Sequence, residues 1–324
     1  MIIEGSRGLY RVETPDGILL CTIRGRLRKQ LDYPTSATAH KRVQKASVKE
    51  HDPVAVGDRV RVLPTGGGNG VIEEVVARAG GTFARLDPQK GQGQIRSVSG
   101  IDQMIAVFAV RKPTPHLRML DRFLVLAEAQ NLAALICMSK VDLGIEPWLA
   151  ERLAVYRAIG YPVVLTSVAS GAGLDELRSR LAGRVSAFLW PSGVGKSSLL
   201  NALQPDLGQR ISAVSAATGK GRHTTTGTRF FPLDGPEGGS IADTAGIRAL
   251  ALGDVAAGRL DQCFPEFRLY LSACRLSDCS HLHEPNCAVR AAVLAGAIDG
   301  ARYDSYCRLY GGESDAIMED WKDD

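Results

Sequence analysis

The sequence predicts a multidomain chain: an N-terminal β-barrel, a central α/β domain built on a parallel sheet, and a C-terminal helical module. Three observations predict it. Short alternating runs broken by Gly, Pro and Asp fill residues 1–82. Apolar strands alternate with helical spacing through residues 83–252. Helical segments flank a dense Cys/His cluster in residues 253–324. A chain of 324 residues is long enough for two or three such domains. No apolar run approaches the roughly 20 residues that span a bilayer. The first ten residues carry no long apolar stretch. A cytoplasmic protein with no membrane partner is expected.

In the first domain, residues 9–12, 18–23, 59–62 and 71–76 read as strands, with Val54-Ala55-Val56-Gly57-Asp58 as a turn feeding one of them. About 80 residues of short strands with a basic face fit an OB-fold. The basic face is Arg24, Arg26, Arg28, Lys29, Lys41, Arg42, Lys45 and Lys49, set against Asp32 as the single acid in that stretch. Such a stretch suits a phosphate backbone through counterion release, or is a solvated loop.

In the second domain, residues 104–110, 133–138, 163–166 and 185–189 read as strands, and residues 117–130, 147–159 and 174–181 as helices. Strands apolar on both faces and alternating with helices imply right-handed parallel crossovers. In the third, residues 264–272, 289–294 and 303–310 read as helical.

The segment Trp190-Pro191-Ser192-Gly193-Val194-Gly195-Lys196-Ser197-Ser198 follows a strand and opens a helix, the context of a phosphate-binding loop. Its glycines let backbone N–H groups converge on phosphate, with Lys196 reaching β- and γ-phosphates and Ser197 holding Mg²⁺. Trp190 stands where the pattern has a glycine for a tight turn off the strand.

Ser139-Lys140-Val141-Asp142 follows another strand and resembles the Asn-Lys-x-Asp element of GTPases. An Asp carboxylate accepts from guanine N1 and N2, a pairing adenine cannot offer. Ser139 in place of Asn is expected to weaken both a base contact and the tie to the phosphate loop. Ser167 follows the next strand, where a Ser-Ala element meets guanine O6.

Past the phosphate loop, Thr224-Thr225-Thr226 offer a Mg²⁺ ligand that senses the γ-phosphate, with Thr225 at their centre. Asp243-Thr244-Ala245-Gly246 ends a strand at residues 240–242: Asp243 would bind Mg²⁺ through water, and the Gly246 amide would meet the γ-phosphate. His223 is the nearest candidate to position the attacking water, or a surface histidine. The base-reading element precedes the phosphate loop, so the GTPase motifs run in circularly permuted order, which close native termini permit.

Cys274, Cys279, His281 and Cys287 give C-x4-C-x-H-x5-C, a donor set for a closed structural Zn²⁺ site, with His283 as a rival nitrogen. Cys21, Cys137, Cys263 and Cys307 read as ordinary thiols. Seven cysteines, an odd count, argue against a disulfide framework.

The chain resembles the RsgA/YjeQ family of small-subunit biogenesis GTPases over nearly its whole length. The marks are Val54–Asp58, Leu120-Asp121-Arg122, the loop from Ser192, Gly221-Arg222-His223-Thr224-Thr225-Thr226, Phe264-Pro265-Glu266-Phe267 and the Cys274–Val289 segment. The resemblance implies an OB-fold, a permuted P-loop GTPase domain and a helical zinc-binding domain. It also implies GTP and GDP as ligands, the 30S subunit and its rRNA as partner, and hydrolysis stimulated by that subunit. A monomer is expected. The alternative is an RNA-binding assembly factor with a degenerate nucleotide site, motivated by Trp190 and Ser139. An ATPase is disfavoured by Asp142.

Overall fold

The structure is a computed structural model that describes residues 1–6, 8–25, 54–76, 81–85, 96–191, 193–208, 211, 230–235, 238–242 and 259–312. The chain divides into two compact units: residues 1–100 with 222–230, and residues 101–221 with 231–324.

The first unit carries five strands: β1 (Ile2–Ser6), β2 (Leu9–Thr14), β3 (Gly17–Ile23), β4 (Val60–Gly66) and β5 (Asn69–Val75), in sheet order β1-β2-β3-β5-β4. The β3–β5 pair is parallel, while β1–β2, β2–β3 and β4–β5 are antiparallel. This is the Greek-key order of an OB-fold. Ile2, Tyr10, Val12, Cys21 and Ile72 face its core. The Val54–Asp58 turn closes against β1: the buried Asp58 carboxylate accepts from the Ala55 amide at 2.7 Å, and the Gly57 amide donates to the Ile2 carbonyl at 2.8 Å. The basic stretch beyond Gly25 lies outside the described residues. A further strand pair, β6 (Gly81–Arg85) with β7 (Arg96–Ile101), follows.

The second unit is built on β8 (Gln103–Ala109), α1 (Leu117–Ala129), β9 (Ala133–Ser139), α2 (Pro147–Ile159), β10 (Val163–Leu165), α3 (Leu174–Leu181), β11 (Val185–Leu189), α4 (Lys196–Leu203), β12 (Phe230–Pro232) and β13 (Ser240–Ala242). Its six-stranded sheet has the order β10-β9-β8-β11-β13-β12, with β10, β9, β8, β11 and β13 mutually parallel. All seven residues of β8 are buried, the signature of a central strand covered on both faces. From β8 the chain winds outward to β9 and β10, then returns to lay β11 on the other side of β8. Doubly wound sheets bind ligands at such a reversal, beside the strand carboxyl ends.

The C-terminal part holds α5 (Ala288–Leu294) and α6 (Gly300–Tyr310). Within the expected helical span of residues 264–272, a 3₁₀ turn at Pro265–Phe267 leads into a short α-helix at Arg268–Leu271. Pro265 and the stacked Phe264–Phe267 pair, with centroids 5.1 Å apart, favour the tighter i→i+3 turn.

Candidate functional site

The loop from Trp190 to Lys196 leaves the carboxyl end of β11. Positive φ falls on Gly193 (75°) and Gly195 (89°), the latter the N-cap of α4. A Cβ on Gly195 would lie 3.6 Å from Lys140 Cε, but an L-residue at that φ would be strained. The expected need for glycine at position 190 is corrected. Trp190 is not among the residues with positive φ, so its side chain costs no backbone strain. Its ring is 7% exposed, packs 5.4 Å from Phe188, and faces Lys196 Nζ at 4.6 Å from its centroid. Pro191 is buried, and Val194 is buried in the same core. Ser197 and Ser198 are exposed on the first turn of α4. Ser192 lies outside the described residues.

Ser139 ends β9, next to β8. Its hydroxyl lies 2.9 Å from the Val194 carbonyl oxygen and 3.3 Å from that of Phe108. The expected weakening of the tie to the phosphate loop is therefore corrected: the shorter side chain still bonds the loop, from a position only 5% exposed. Lys140 adopts a left-handed conformation (φ 59°) and donates from Nζ to the Gly193 carbonyl at 2.8 Å and to that of Lys112. Val141 starts a 3₁₀ turn and its amide donates to the Thr166 carbonyl at 3.2 Å. Asp142 is exposed, and its Oδ1 accepts the Ser167 hydroxyl at 2.5 Å. Ser167 is itself fixed, its amide bonded to the Ala172 carbonyl at 3.0 Å. Gly173 makes that turn possible, since a Cβ there would sit 1.9 Å from the Leu165 carbonyl oxygen. The base-reading and phosphate-loop segments, separated and reversed in sequence, thus meet at one end of one sheet.

Strand β13 lies parallel to β11, with Ala242 opposite Ala187. Asp243 and Gly246 beyond it lie outside the described residues, as do His223 and Thr224–Thr226.

The ligand atoms of Cys274, Cys279, His281 and Cys287 all lie within 4.8 Å of one another. The Cys274 and Cys287 sulfurs are 4.0 Å apart, and His281 Nδ1 is 3.6 and 3.4 Å from them. Tetrahedral Zn²⁺ with bonds of about 2.3 Å to sulfur and 2.0–2.1 Å to nitrogen gives ligand spacings of about 3.6–3.8 Å, so these residues fit the ion. His281 is buried within the cluster, and His283 is exposed. His281 Nε2 faces the Asp261 carboxylate at 3.6 Å. Glu284 closes the loop between the ligands by accepting from the Ser280 amide at 2.8 Å and the Ser280 hydroxyl at 2.5 Å. The Ser280 hydroxyl bond is the main cause that holds the Glu284 carboxyl below its usual range.

Sequence reasoning missed how this module is fixed to the nucleotide domain. Arg302 of α6 is fully buried. Its guanidinium meets Asp121 Oδ1 of α1 at 2.6 Å and Glu266 Oε1 at 2.7 Å. Tyr156 and Ser305 donate their hydroxyls to Asp121 at 2.7 and 2.5 Å. Burial opposes the Arg302 charge, but the two carboxylates outweigh it and hold the guanidinium above its ordinary range. Arg152 of α2 grips Asp299 at 2.6 and 2.7 Å, and Asp299 also caps α6. The Leu120-Asp121-Arg122 and Phe264-Pro265-Glu266-Phe267 marks supply the two acids, and the arginine between them carried no motif.

The Arg152 hydrogen bond, more than any other influence, depresses the Asp299 carboxyl. A depressed folded value means the stabilisation is present above the unfolded range near pH 3.9 and is lost as pH falls below it. Asp299→Asn should therefore melt below the unsubstituted chain at pH 7, with the gap narrowing as the pH falls below about 3.9. Thermal melts of both chains across that range check it. A gap independent of pH would mean the charge is not what matters.

The parallel sheet with a phosphate loop, and a base-reading element that precedes it in sequence, define a circularly permuted P-loop GTPase. Residues 82–253 match the RsgA GTPase family. The small ribosomal subunit biogenesis GTPase RsgA of Gemmatimonas aurantiaca is 43% identical over 312 residues, 95% of each chain. Its namesake from Moorella thermoacetica is 39% identical over 92% of this chain and 91% of its own. YjeQ from Thermotoga maritima superposes with a TM-score of 0.71 at 32% identity over 96% of each chain. YloQ, described as a circularly permuted GTPase, gives 0.65 at 28% identity over 96% of this chain and 95% of its own. The chain belongs to the RsgA GTPase family and is a GTP hydrolase.

Proposed function

We propose that this GTPase acts in biogenesis of the small ribosomal subunit, binding the 30S particle in its GTP form and leaving after hydrolysis. The observation that carries the nucleotide site is the bond from Lys140 Nζ to the Gly193 carbonyl, which joins base reader and phosphate loop in one cleft. In this reading Asp142 and Lys140 take the guanine, with Ser167 orienting Asp142. The amides of Gly193, Val194 and Gly195 take phosphate oxygens, and Lys196 neutralises the β- and γ-phosphates. Ser197, a threonine of Thr224–Thr226 and, through water, Asp243 hold Mg²⁺, whose bound charge offsets that developing on the phosphates. Gly246 reads the γ-phosphate and His223 orients water. Cys274, Cys279, His281 and Cys287 hold Zn²⁺, which has four protein ligands and so a structural role. The OB-fold with its basic stretch contacts rRNA by charge and stacking. The protein works as a cytoplasmic monomer of three functional domains, residues 1–82, 83–252 and 253–324. Among the described residues no helix is long and apolar enough to cross a membrane. The degenerate-site alternative loses its two grounds, because Ser139 keeps its bond to the loop and Trp190 fits without strain.

The test is GTP turnover of the full chain with and without 30S subunits. The subunit should raise turnover about tenfold or more, equivalent to roughly 1.4 kcal/mol of transition-state stabilisation. Turnover that ignores the subunit would sink the assignment of partner.

A further inference from the structure

We propose that Trp190 is a positioning residue for the phosphate-loop lysine, ordering the Lys196 ammonium before nucleotide arrives. The inference rests on the reading that Lys196 meets the β- and γ-phosphates. Three observations carry it. The ring stands at the first position of the loop, where the usual glycine has no side chain. It is immobilised: 7% exposed, 5.4 Å from the Phe188 ring, and part of the core formed with Val194, Leu199, Ile211 and Phe231. Its face lies 4.6 Å from Lys196 Nζ, inside the roughly 6 Å reach of a cation–π attraction.

The physical consequence follows from lysine's freedom. A lysine side chain that becomes ordered loses more rotamer entropy than almost any other. If that ordering happens at binding, it is subtracted from affinity. A fixed aromatic face moves the ordering into the free protein. The ring is neutral, so unlike a carboxylate it does not compete with phosphate by full ion pairing. A cation held over a ring face keeps its charge. The gain applies only to ligands whose phosphates reach Lys196. Trp190 therefore strengthens GDP and GTP binding relative to GMP, which shares the base and sugar but lacks the β- and γ-phosphates. The departure from the glycine pattern is then a gain in phosphate recognition.

The test uses the full chain with Trp148→Phe and Trp321→Phe, so that position 190 carries the remaining tryptophan. Growth on mono-, di- and trifluorotryptophan gives a near-isosteric series in which fluorine withdraws electron density from the ring face. This series weakens the cation–π attraction without emptying the core. Affinities for GMP, GDP and GTP are read by competition against a fluorescent GDP. GDP and GTP should weaken stepwise with each fluorine while GMP stays constant. Trp190→Leu, which keeps an apolar side chain and removes the face, should weaken GDP and GTP about three- to thirtyfold. Trp190→Phe, with a poorer face, should fall between. Affinities flat across the fluorinated series, or GMP weakening in parallel with GTP, would overturn the proposal and leave Trp190 a packing residue. Lys196→Ala separates the two readings. If it lowers GDP affinity relative to GMP while the tryptophan series is flat, only the role of Trp190 fails. If it leaves that ratio unchanged, the phosphate-loop reading fails and the proposal with it.

Discussion

Asp142→Asn is expected to lower GTP affinity on the order of 100-fold or more and to make xanthosine triphosphate the better ligand. The carboxylate is held by the Ser167 hydroxyl at 2.5 Å, and Ser167 by its own amide bond to Ala172. An asparagine keeps an oxygen for Ser167, so its Nδ2 amide is the atom turned toward the base. Guanine would then face a donor with its own two donors at N1 and N2, and those groups lose their partners. Xanthine has a carbonyl at position 2, which accepts from the new amide. Competition binding with GTP and xanthosine triphosphate checks the switch. An unchanged preference would remove Asp142 from base recognition and with it the case for a single guanine site.

The second large effect concerns stability. Arg302→Met should destabilise the unit holding the nucleotide site and the C-terminal helices by about 3–5 kcal/mol. In a domain of this size that lowers Tm by roughly 6–20 °C. The cause is not chiefly the loss of two ion pairs. It is the stranding of Asp121 and Glu266, which are 3% and 9% exposed on their side chains and would face each other with no cation between them. Adding Asp121→Asn and Glu266→Gln to Arg302→Met should therefore recover part of the loss, although two more native residues are gone. Thermal unfolding of the single and triple variants distinguishes this. If the triple variant is simply the worst of the set, the stranded-charge account is wrong.

The functional sites were legible to different depths. The phosphate loop and base reader could be read because their chemistry imposes residue types at fixed offsets after apolar strands. The Cys/His cluster was legible for the same reason, except that spacing could not choose between His281 and His283. Burial distinguishes them: one imidazole lies within the cluster while its neighbour two residues on lies at the surface. Two inferences from sequence were corrected. Ser139 in place of Asn was expected to weaken the tie to the loop, but β9 places its hydroxyl close enough to bond the Val194 carbonyl. Trp190 stands where the pattern has a glycine for a tight turn, but the left-handed residues are Gly193 and Gly195. The helical segment expected over residues 264–272 is present, but Pro265 tightens its first turn to 3₁₀, a detail apolar periodicity does not carry.

The sequence by itself determined the strand-rich, α/β and helical order of the chain, the permuted order of the GTPase motifs and the three cysteines of the Cys/His cluster. Each depends on residue type and short-range spacing, and those are properties of the chain before it folds. Only the tertiary structure decided that Arg302 unites Asp121 and Glu266, that Ser167 holds Asp142, and that a tryptophan face lies under the phosphate-loop lysine. Those pairings join residues distant in sequence or depend on where a side chain points. Their strength comes from burial, which removes competing water and leaves each polar group dependent on the partner the fold supplies.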